Sequence, residues 1–300
     1  MIDVGCAECC AICGAEDLDP MVDCLRDGTS DHRVYRCEAC DYTQLLPRPT
    51  VEQDKAYYDQ NGQDRTIRER IDLTWERQAF SLDVERRSNA VSALFRKGST
   101  LLDVGTGYGF FLEEMAARGF SVRGIEIGRE RREMARDVTS APIDETNLVV
   151  EHPDPEQAAD VVTLFHVLEH VADPISFAKK LRTLVRPGGA LVCEVPNVNE
   201  LLLDTCPEYW HFYWIRAHLS YFSDAILKRV LHQAGFASVE VTFIQRYGIE
   251  NLGHWLAFGK PQIQRPLFRI DRAYRWLEDS YRDQLSIDGR TDTLWAVARV

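Results

Sequence analysis

The sequence has no long apolar run and no basic, apolar start. No segment approaches the ~20 consecutive apolar residues that a bilayer-spanning helix needs, so a membrane span is excluded. The opening stretch MIDVGCAECC has neither a cationic start nor an apolar core, and we therefore do not expect it to act as a signal peptide. We expect a cytoplasmic protein without a membrane partner.

The chain also lacks an excess of positive charge. Its 35 basic residues are outnumbered by 47 acidic residues, which leaves a formal net charge of −12. Such a charge disfavours broad contact with nucleic acid phosphates or with an anionic membrane. Since 45% of the 300 residues are hydrophobic and 27% are charged, the composition is that of an ordinary globular protein.

Cysteine is scarce beyond residue 40, where only two of the nine cysteines lie. Without a secretion signal, the N-terminal group indicates metal ligation rather than a disulfide framework. Two C-x2-C pairs, Cys10 with Cys13 and Cys37 with Cys40, are separated by 23 residues. Two such pairs complete a tetrahedral Zn²⁺ site, and four thiolates leave no open position, so its role is predicted to be structural. Cys6 and Cys9 form an overlapping pair that leaves the register of the first pair open, and free thiols are the alternative.

Three regions are predicted along the chain. Residues 1–48 form the zinc-binding module, which is too small to fold on its own core without metal. After the proline-containing stretch LLPRPT, residues 49–98 form a helical linker or lid, with an amphipathic helix pair from Thr74 to Phe95. Residues 99–300 alternate strand and helix patterns, which predicts an α/β domain with a parallel sheet and helices on both of its faces.

The first strand-to-helix turn of this domain is rich in glycine. Gly105, Gly107 and Gly109 give G-x-G-x-G in LLDVGTGYGFF. Glycines here let the backbone approach a ligand, and the following helix N-terminus offers unpaired N–H groups. The dinucleotide fingerprint G-x-G-x-x-G does not match, because Phe110 occupies its last position. The turn by itself is weak support for a ligand site, and a simple tight turn is the alternative.

Three further features surround that turn. Asp103 ends the first strand, Glu126 ends the second strand 21 residues after Gly105, and RPGGALV precedes a late strand. With the glycines, they resemble the class I S-adenosylmethionine-dependent methyltransferases, whose fold is a Rossmann-like seven-stranded sheet. The resemblance implies that the glycine loop holds the methionine end of S-adenosylmethionine and that Glu126 holds its ribose. The cofactor-binding residues it implies are Asp103, Gly105, Gly107, Gly109, Glu126, Ile127, Asn147, Phe165 and His166, with Asp144 as a further candidate for the adenine.

The stretch LFHVLEHVADP lies where the family places the transferable methyl group, beyond the end of its fourth strand. His166, Glu169 and His170 are therefore expected near that group, with His166 and His170 as catalytic candidates; pinning of loop backbone is the alternative. Related small-RNA and ubiquinone-pathway methyltransferases hold a divalent metal with Glu-x-x-Glu-His. This sequence has His166 in place of the first glutamate, which leaves a metal at His166, Glu169 and His170 open.

An aromatic cluster, CPEYWHFYWIRAHLSYFS, follows the fifth strand. The resemblance places it over the active site, so His211, His218 and Tyr221 are candidates for a general base or for an acceptor pocket. The alternative is an aromatic lid packed on the core.

The cysteine pairs narrow the resemblance to zinc-containing methyltransferases, found among sugar C-methyltransferases and in polysaccharide or natural-product clusters. The known sugar C-methyltransferases carry a further C-terminal domain, whereas this sequence ends at Val300. We predict methyl transfer from S-adenosylmethionine to an oxygen or a carbon of a small-molecule acceptor. The alternatives are an RNA methyltransferase that uses the zinc module for RNA contact and an NAD-dependent enzyme.

Overall fold

The computed structural model describes residues 9–28, 31–50, 53, 71–154, 156, 158–261 and 271–300. Cys6 and residues 54–70 of the predicted helical linker lie outside the described residues. Within these ranges, no helix combines the length and the apolar character needed to cross a bilayer.

The secondary structure follows the predicted alternation from residue 99 onward. In the described part of the chain the strands are β1 (Leu18–Val22), β2 (Arg33–Cys37), β3 (Thr43–Leu46), β4 (Thr100–Val104), β5 (Ser121–Ile125), β6 (Ile143–Asp144), β7 (Ala159–Phe165), β8 (Val185–Pro196), β9 (Ser220–Tyr221), β10 (Ser238–Ile244) and β11 (Thr293–Arg299). The α-helices are α1 (Leu73–Leu94), α2 (Phe110–Ala117), α3 (Arg129–Val138), α4 (Pro174–Thr183), α5 (Leu201–Thr205), α6 (Pro207–Tyr213), α7 (Asp224–Gln233), α8 (Ile249–Phe258) and α9 (Arg275–Ile287). Short 3₁₀ turns span Leu168–His170 and Arg272–Tyr274.

The main sheet has seven strands in the order β10-β11-β8-β7-β4-β5-β6. Strands β4 to β8 pair in parallel, while β11 runs antiparallel to both β8 and β10. This confirms the predicted seven-stranded α/β fold. The carboxyl ends of β4, β5 and β7 meet at one edge of the sheet, and ligands of open α/β sheets bind beyond that edge.

Alternate residues of the central strands enter two separate cores. Leu102 and Leu164 point into the core that α4 and α7 cover, whereas Leu101 and Phe165 point into the core beside α1 and α2. This period of two is the pattern expected for a sheet covered on both faces.

The helix ends follow the capping residues of the sequence. Asp173 accepts a hydrogen bond from the Ser176 N–H with Pro174 at the first turn of α4, and Ser223 caps α7, both as predicted. The predicted helix pair from Thr74 to Phe95 is wrong. Asp72 caps a single helix of 22 residues, α1, which holds no proline or glycine that could interrupt it.

The cysteine-bearing segment forms a second, four-stranded sheet in the order β1-β2-β3-β9. Its fourth strand comes from residues 220–221, far along the chain, and pairs antiparallel with β3. Ile12 and Tyr42 also enter the same core as β7 and α4. The small sheet therefore packs directly on the α/β domain.

Candidate active site

The glycine turn after β4 has one residue that faces open space. Gly105, Gly107 and Gly109 all have positive φ, at 80°, 59° and 81°. A Cβ at Gly105 would lie 2.2 Å from Val167 Cγ2, so packing alone requires glycine there. A Cβ at Gly107 would meet nothing within 4 Å. Gly107 is thus the glycine whose backbone a ligand can approach.

Glu126 closes the same turn from the end of β5. Its Oε2 accepts a hydrogen bond from the Gly107 N–H and its Oε1 accepts one from the Gly128 N–H, both at 2.8 Å. Burial raises the pKa of this carboxyl, although both backbone N–H groups act in the opposite direction. The neighbouring Ile127 is exposed. The glycine turn and the carboxylate predicted to hold the cofactor are therefore in direct contact.

Asp103 lies beneath this turn and is almost completely buried. The Thr163 hydroxyl donates to its Oδ1 at 2.6 Å, yet burial outweighs this bond and raises the pKa of Asp103 to about 6.

Asn147 and Phe165, also predicted to bind the cofactor, make contacts within the protein itself. Asn147 Oδ1 accepts from the Val149 N–H and builds a local turn. Phe165 packs edge-on against Phe111 and stacks on Trp295 with 5.6 Å between ring centroids, as part of the core.

His166 occupies a left-handed backbone conformation, with φ at 55°, directly after β7. Its Nδ1 lies 3.0 Å from Glu169 Oε1. Its Nε2 lies 3.1 Å from Glu194 Oε1 and 2.9 Å from Arg246 Nη1. Burial and the Arg246 charge disfavour the cation, but the hydrogen bonds to the two carboxylates outweigh them and raise the pKa of His166. Because both ring nitrogens already have partners, His166 is better suited to orient neighbouring side chains than to act as a general base.

Glu194 lies at the centre of a buried ionic network that we did not predict. It is 0% exposed, within β8, and Arg87 Nη2 lies 2.6 Å from its Oε1 while Arg86 Nη1 lies 2.8 Å from its Oε2. Asp83, also on α1, accepts from Arg246 Nε at 3.0 Å. One signal in the sequence was available: an acidic residue inside the apolar run ALVCEVP needs a buried cationic partner.

Two segments form one wall of the site, which we call the histidine wall: residues 168–171 and residues 217–222. The Leu219 N–H donates to the Glu169 carbonyl at 2.8 Å, and His170 Nδ1 lies 2.7 Å from the Ala217 carbonyl. The His170 and His218 rings are 5.1 Å apart, and the His218 and Tyr221 rings are 5.9 Å apart. The structure thus brings together His170, His218 and Tyr221, with Glu169 between them and His166.

The pKa values of the two histidines of this wall shift in the opposite direction from that of His166. Burial is the largest cause that lowers the pKa of both, to about 3 for His218, so they are neutral near pH 7. Glu169 has a lowered pKa, because its contact with His166 outweighs its burial. Among the described residues, neither Glu169 Oε2 nor His218 Nδ1 has a hydrogen-bond partner, although both are buried.

Glu169, His170 and His218 also form a candidate metal group. One ligand atom from each lies within 4.8 Å of the others. A carboxylate with two neutral imidazoles suits a divalent transition metal. His166 is absent from this group, and His218 takes the place that the sequence motif assigned to it.

The aromatic stretch around α6 is largely packing. Tyr209 and Phe212 both contact Trp255, at 4.9 Å and 5.0 Å between ring centroids. His211 is exposed and its Nδ1 lies 2.7 Å from the Pro207 carbonyl. No contact in the described part of the chain joins His211 to the other histidines predicted to be catalytic.

The four predicted zinc ligands converge. Sγ of Cys10 lies 3.6 Å from that of Cys40, Sγ of Cys13 lies 3.5 Å from that of Cys37, and all four lie within 4.8 Å of one another. Burial raises the pKa of Cys10 to about 11. Cys9 is not in this group, and Cys6 lies outside the described residues.

The chain matches a known domain family over more than half of its length. A family model described as "Methyltransferase domain" matches residues 75–241. The ubiquinone biosynthesis O-methyltransferase of Acinetobacter baylyi is 40% identical over 108 residues, which are 34% of this chain and 45% of that protein. The protein of the same name from Vibrio parahaemolyticus is 31% identical over 161 residues, 48% of this chain and 66% of that protein. The chain thus spans about half to two thirds of the length of these relatives.

Solved structures share the fold at low sequence identity. Magnesium protoporphyrin IX methyltransferase from Synechocystis, with bound S-adenosylhomocysteine, superposes with a TM-score of 0.54 at 14% identity, covering 84% of this chain and 100% of that one. A methyltransferase from Archaeoglobus fulgidus gives 0.53 at 17% identity, covering 76% of this chain and 99% of that one. Because the matching family model is that of a methyltransferase domain, it rules out the alternative of an NAD-dependent enzyme. The chain belongs to the class I S-adenosylmethionine-dependent methyltransferases.

Proposed function

We propose that the protein transfers the methyl group of S-adenosylmethionine to an oxygen, or to an acidic carbon, of a small molecule bound against the histidine wall. The observation that carries this proposal is the cluster of the buried Glu169 with the half-buried His170 and His218 beside the end of β7. Strand β7 pairs with β4, and the glycine turn follows the end of β4. The names of the curated relatives, which are O-methyltransferases, favour oxygen as the acceptor atom.

The cofactor half of the site is supplied by β4 and β5. In the proposal the Gly107 backbone faces the methionine end, and the Glu126 carboxylate accepts hydrogen bonds from the ribose hydroxyls. Glu126 already accepts from two backbone N–H groups, so it exchanges or shares those bonds when the ribose binds. Asp103 lies on the side of the cofactor's ammonium group, where a carboxylate is electrostatically favourable.

The acceptor half must align the attacking atom with the sulfonium methyl and remove one proton. His218 is neutral and its buried Nδ1 has no hydrogen-bond partner in the described structure, so this nitrogen can accept a hydrogen bond from the acceptor hydroxyl, while its pKa of about 3 disfavours complete proton transfer to it. His166, held by Glu169, Glu194 and Arg246, orients Glu169 instead. Tyr221, whose ring lies edge-on to that of His218, shapes the pocket.

A divalent metal is a second way for the same wall to work. Glu169, His170 and His218 would hold the ion, and a bound ion would lower the pKa of an acceptor hydroxyl. A chelator distinguishes the two cases: only the metal version predicts a fast loss of turnover that Mg²⁺ or Mn²⁺ restores.

The N-terminal cysteines serve a structural purpose in this proposal. Four converging thiols are the donor set of a tetrahedral Zn²⁺ site, and they leave no position for substrate. Residues 1–48 thus act as a zinc module, followed by a helical segment that leads into the methyltransferase domain. We further propose that the protein acts in the cytoplasm.

Calorimetry with S-adenosylhomocysteine tests the cofactor half. Glu126→Ala should weaken binding by about 1–3 kcal/mol, the scale for a lost charged hydrogen-bond partner, whereas the exposed Glu133→Ala on α3 should not. Unchanged affinity in Glu126→Ala would refute the cofactor assignment. Incubation with labelled S-adenosylmethionine and cell extract then identifies the acceptor class: label in the small-molecule fraction supports the proposal, and label in RNA contradicts it.

A further inference from the structure

The cysteine module is joined to the histidine wall by backbone pairing. Its strand β3 pairs with β9, in the register Thr43 with Tyr221 and Gln44 with Ser220. The Leu45 N–H also donates to the Leu219 carbonyl at 3.1 Å. Since β9 lies within residues 217–222, the last strand of the small sheet is itself part of the wall.

A buried side-chain relay joins the same two parts. The Tyr42 hydroxyl donates to Ser220 Oγ at 2.5 Å, and Ser220 Oγ donates to the Val171 carbonyl at 2.7 Å. Both side chains are 0% exposed. The relay therefore reaches both segments of the wall, because Ser220 belongs to one and Val171 to the other.

The relay starts at the cysteine site. Tyr42 lies two residues after Cys40, and its carbonyl accepts from the Cys37 N–H at 2.9 Å. The loop between them is tight, with Asp41 at a positive φ of 63°. A metal held by Cys37 and Cys40 would fix both ends of this loop and with it the position of the Tyr42 ring.

In the described part of the chain, the hydrogen bonds of Gly105, Gly107 and Glu126 stay within the cofactor half. They join these residues to each other, to β5 and β6 and to the connection between those strands. Loss of the cysteine site should therefore affect the two halves of the active site unequally.

We propose that the zinc module positions the acceptor side of the active site, with Tyr42 as the positioning residue that carries the order of the cysteine site into the histidine wall. The proposal rests on the proposed function for the meaning of the wall, but not for the contacts that join it to the module. It gives the module a task beyond its own folding: the bound metal sets the geometry in which His218 and Glu169 face the acceptor.

Hydrogen exchange of the zinc-loaded full chain tests this. Tyr42→Phe removes one hydroxyl and keeps the ring; Tyr35→Phe, at a half-buried position of β2, is the matched control. We expect amides of residues 168–171 and 217–222 to exchange about two- to tenfold faster in Tyr42→Phe, the range for one net hydrogen bond. Amides of residues 101–126 should not change, and neither should zinc content or S-adenosylhomocysteine affinity.

Two further measurements separate a relay from general destabilisation. Ser220→Ala breaks both bonds, so the double variant with Tyr42→Phe should exchange no faster in the wall than Ser220→Ala alone. Removing zinc with a chelator should speed exchange in the wall before it does so in residues 101–126. Equal exchange in Tyr42→Phe and Tyr35→Phe, or a uniform rise across the chain, would overturn the proposal. If the wild type fails to bind S-adenosylhomocysteine, the proposed function fails, while the exchange result still decides the positioning role.

Discussion

At the scale of single residues, two glycines of one turn have different reasons to be glycine. At Gly105, the side chain of Val167 leaves no room for any residue larger than glycine. At Gly107, a Cβ atom would meet no other atom within 4 Å. The sequence shows the two as equivalent members of G-x-G-x-G, and only the neighbours of each backbone distinguish packing from ligand access.

This difference predicts a selective loss of binding in Gly107→Ala. The added methyl group is tolerated by the fold but occupies the space that the cofactor approaches, so S-adenosylhomocysteine affinity should fall at least about tenfold. Gly98→Ala is the control, because Gly98 also has positive φ and open surroundings but lies at the opposite end of β4. Both variants should lose about 1 kcal/mol of unfolding free energy to backbone strain. Equal affinities in calorimetry would show that Gly107 does not face the cofactor.

The raised pKa of Asp103 leads to a prediction of how the affinity for the cofactor depends on pH. The pKa of this residue is raised to about 6, so the carboxylate is ionised above pH 6 and neutral below it. In the proposed site, only the ionised form would attract the cofactor's ammonium group. Affinity for S-adenosylhomocysteine should therefore fall as the pH drops through 6. Thr163→Val removes a hydrogen bond to the carboxylate, which should move this midpoint to higher pH.

The contribution of Asp103 to the stability of the fold changes with pH in the opposite direction from its effect on cofactor affinity. Because the pKa of the folded state lies above the usual value near 4, the stabilising contribution of the protonated form is complete below about pH 4. It is lost as the pH rises through about 6. Asp103→Asn should make both affinity and this component of stability flat across that window. A wild-type affinity that does not change between pH 5 and pH 7 would exclude Asp103 from the cofactor site.

At the scale of elements, the Glu194 network holds α1 against the sheet. Arg86 and Arg87 of α1 reach Glu194 in β8, and Asp83 of the same helix binds Arg246, in the connection after β10. Neither the helix nor the strand can shift without separating buried opposite charges. The network thus fixes α1 beside His166.

Glu194→Gln should therefore lower the unfolding free energy by about 3–5 kcal/mol, because it leaves the buried Arg87 and the half-buried Arg86 without their counter-charge. Asp204→Asn is the control, since its ion pair with Arg290 is exposed and should contribute at most about 1 kcal/mol. Urea unfolding followed by tryptophan fluorescence measures both. A loss in Glu194→Gln no larger than in the control would show that this network is not important for stability.

At the scale of the whole molecule, the two sheets are one structure joined through β9. We expect one zinc per chain by elemental analysis, lost in Cys37→Ser and retained in Cys24→Ser, because Cys24 is exposed and outside the group of four. Cys9→Ser should also retain zinc. Protein purified without chelator that contains no zinc would contradict the site, and loss of zinc in Cys9→Ser would shift its register.

Much of the fold could be predicted because it depends on local patterns. The strand and helix alternation from Ser99, the caps Asp173 and Ser223, and the spacing of the cysteine pairs all act over a few residues. The prediction of a helix pair in place of the single helix α1 also came from a local pattern, because the mixture of charged and apolar residues gives no clear apolar face. The length of α1 is instead explained by the absence of a proline or glycine that would interrupt it.

The sequence by itself determined the class of protein, through a glycine turn, two acidic strand ends and apolar strands whose spacing is set by backbone geometry. Only the tertiary structure decided which charged groups meet. Arg87 and Glu194 are 107 positions apart, and Tyr42 and Ser220 are 178 positions apart. Periodicity reveals that a side chain is buried, but its partner depends on how strands and helices pack. The ionic network, the place of His218 beside Glu169, and the link from the cysteine site to the histidine wall therefore follow from the fold alone.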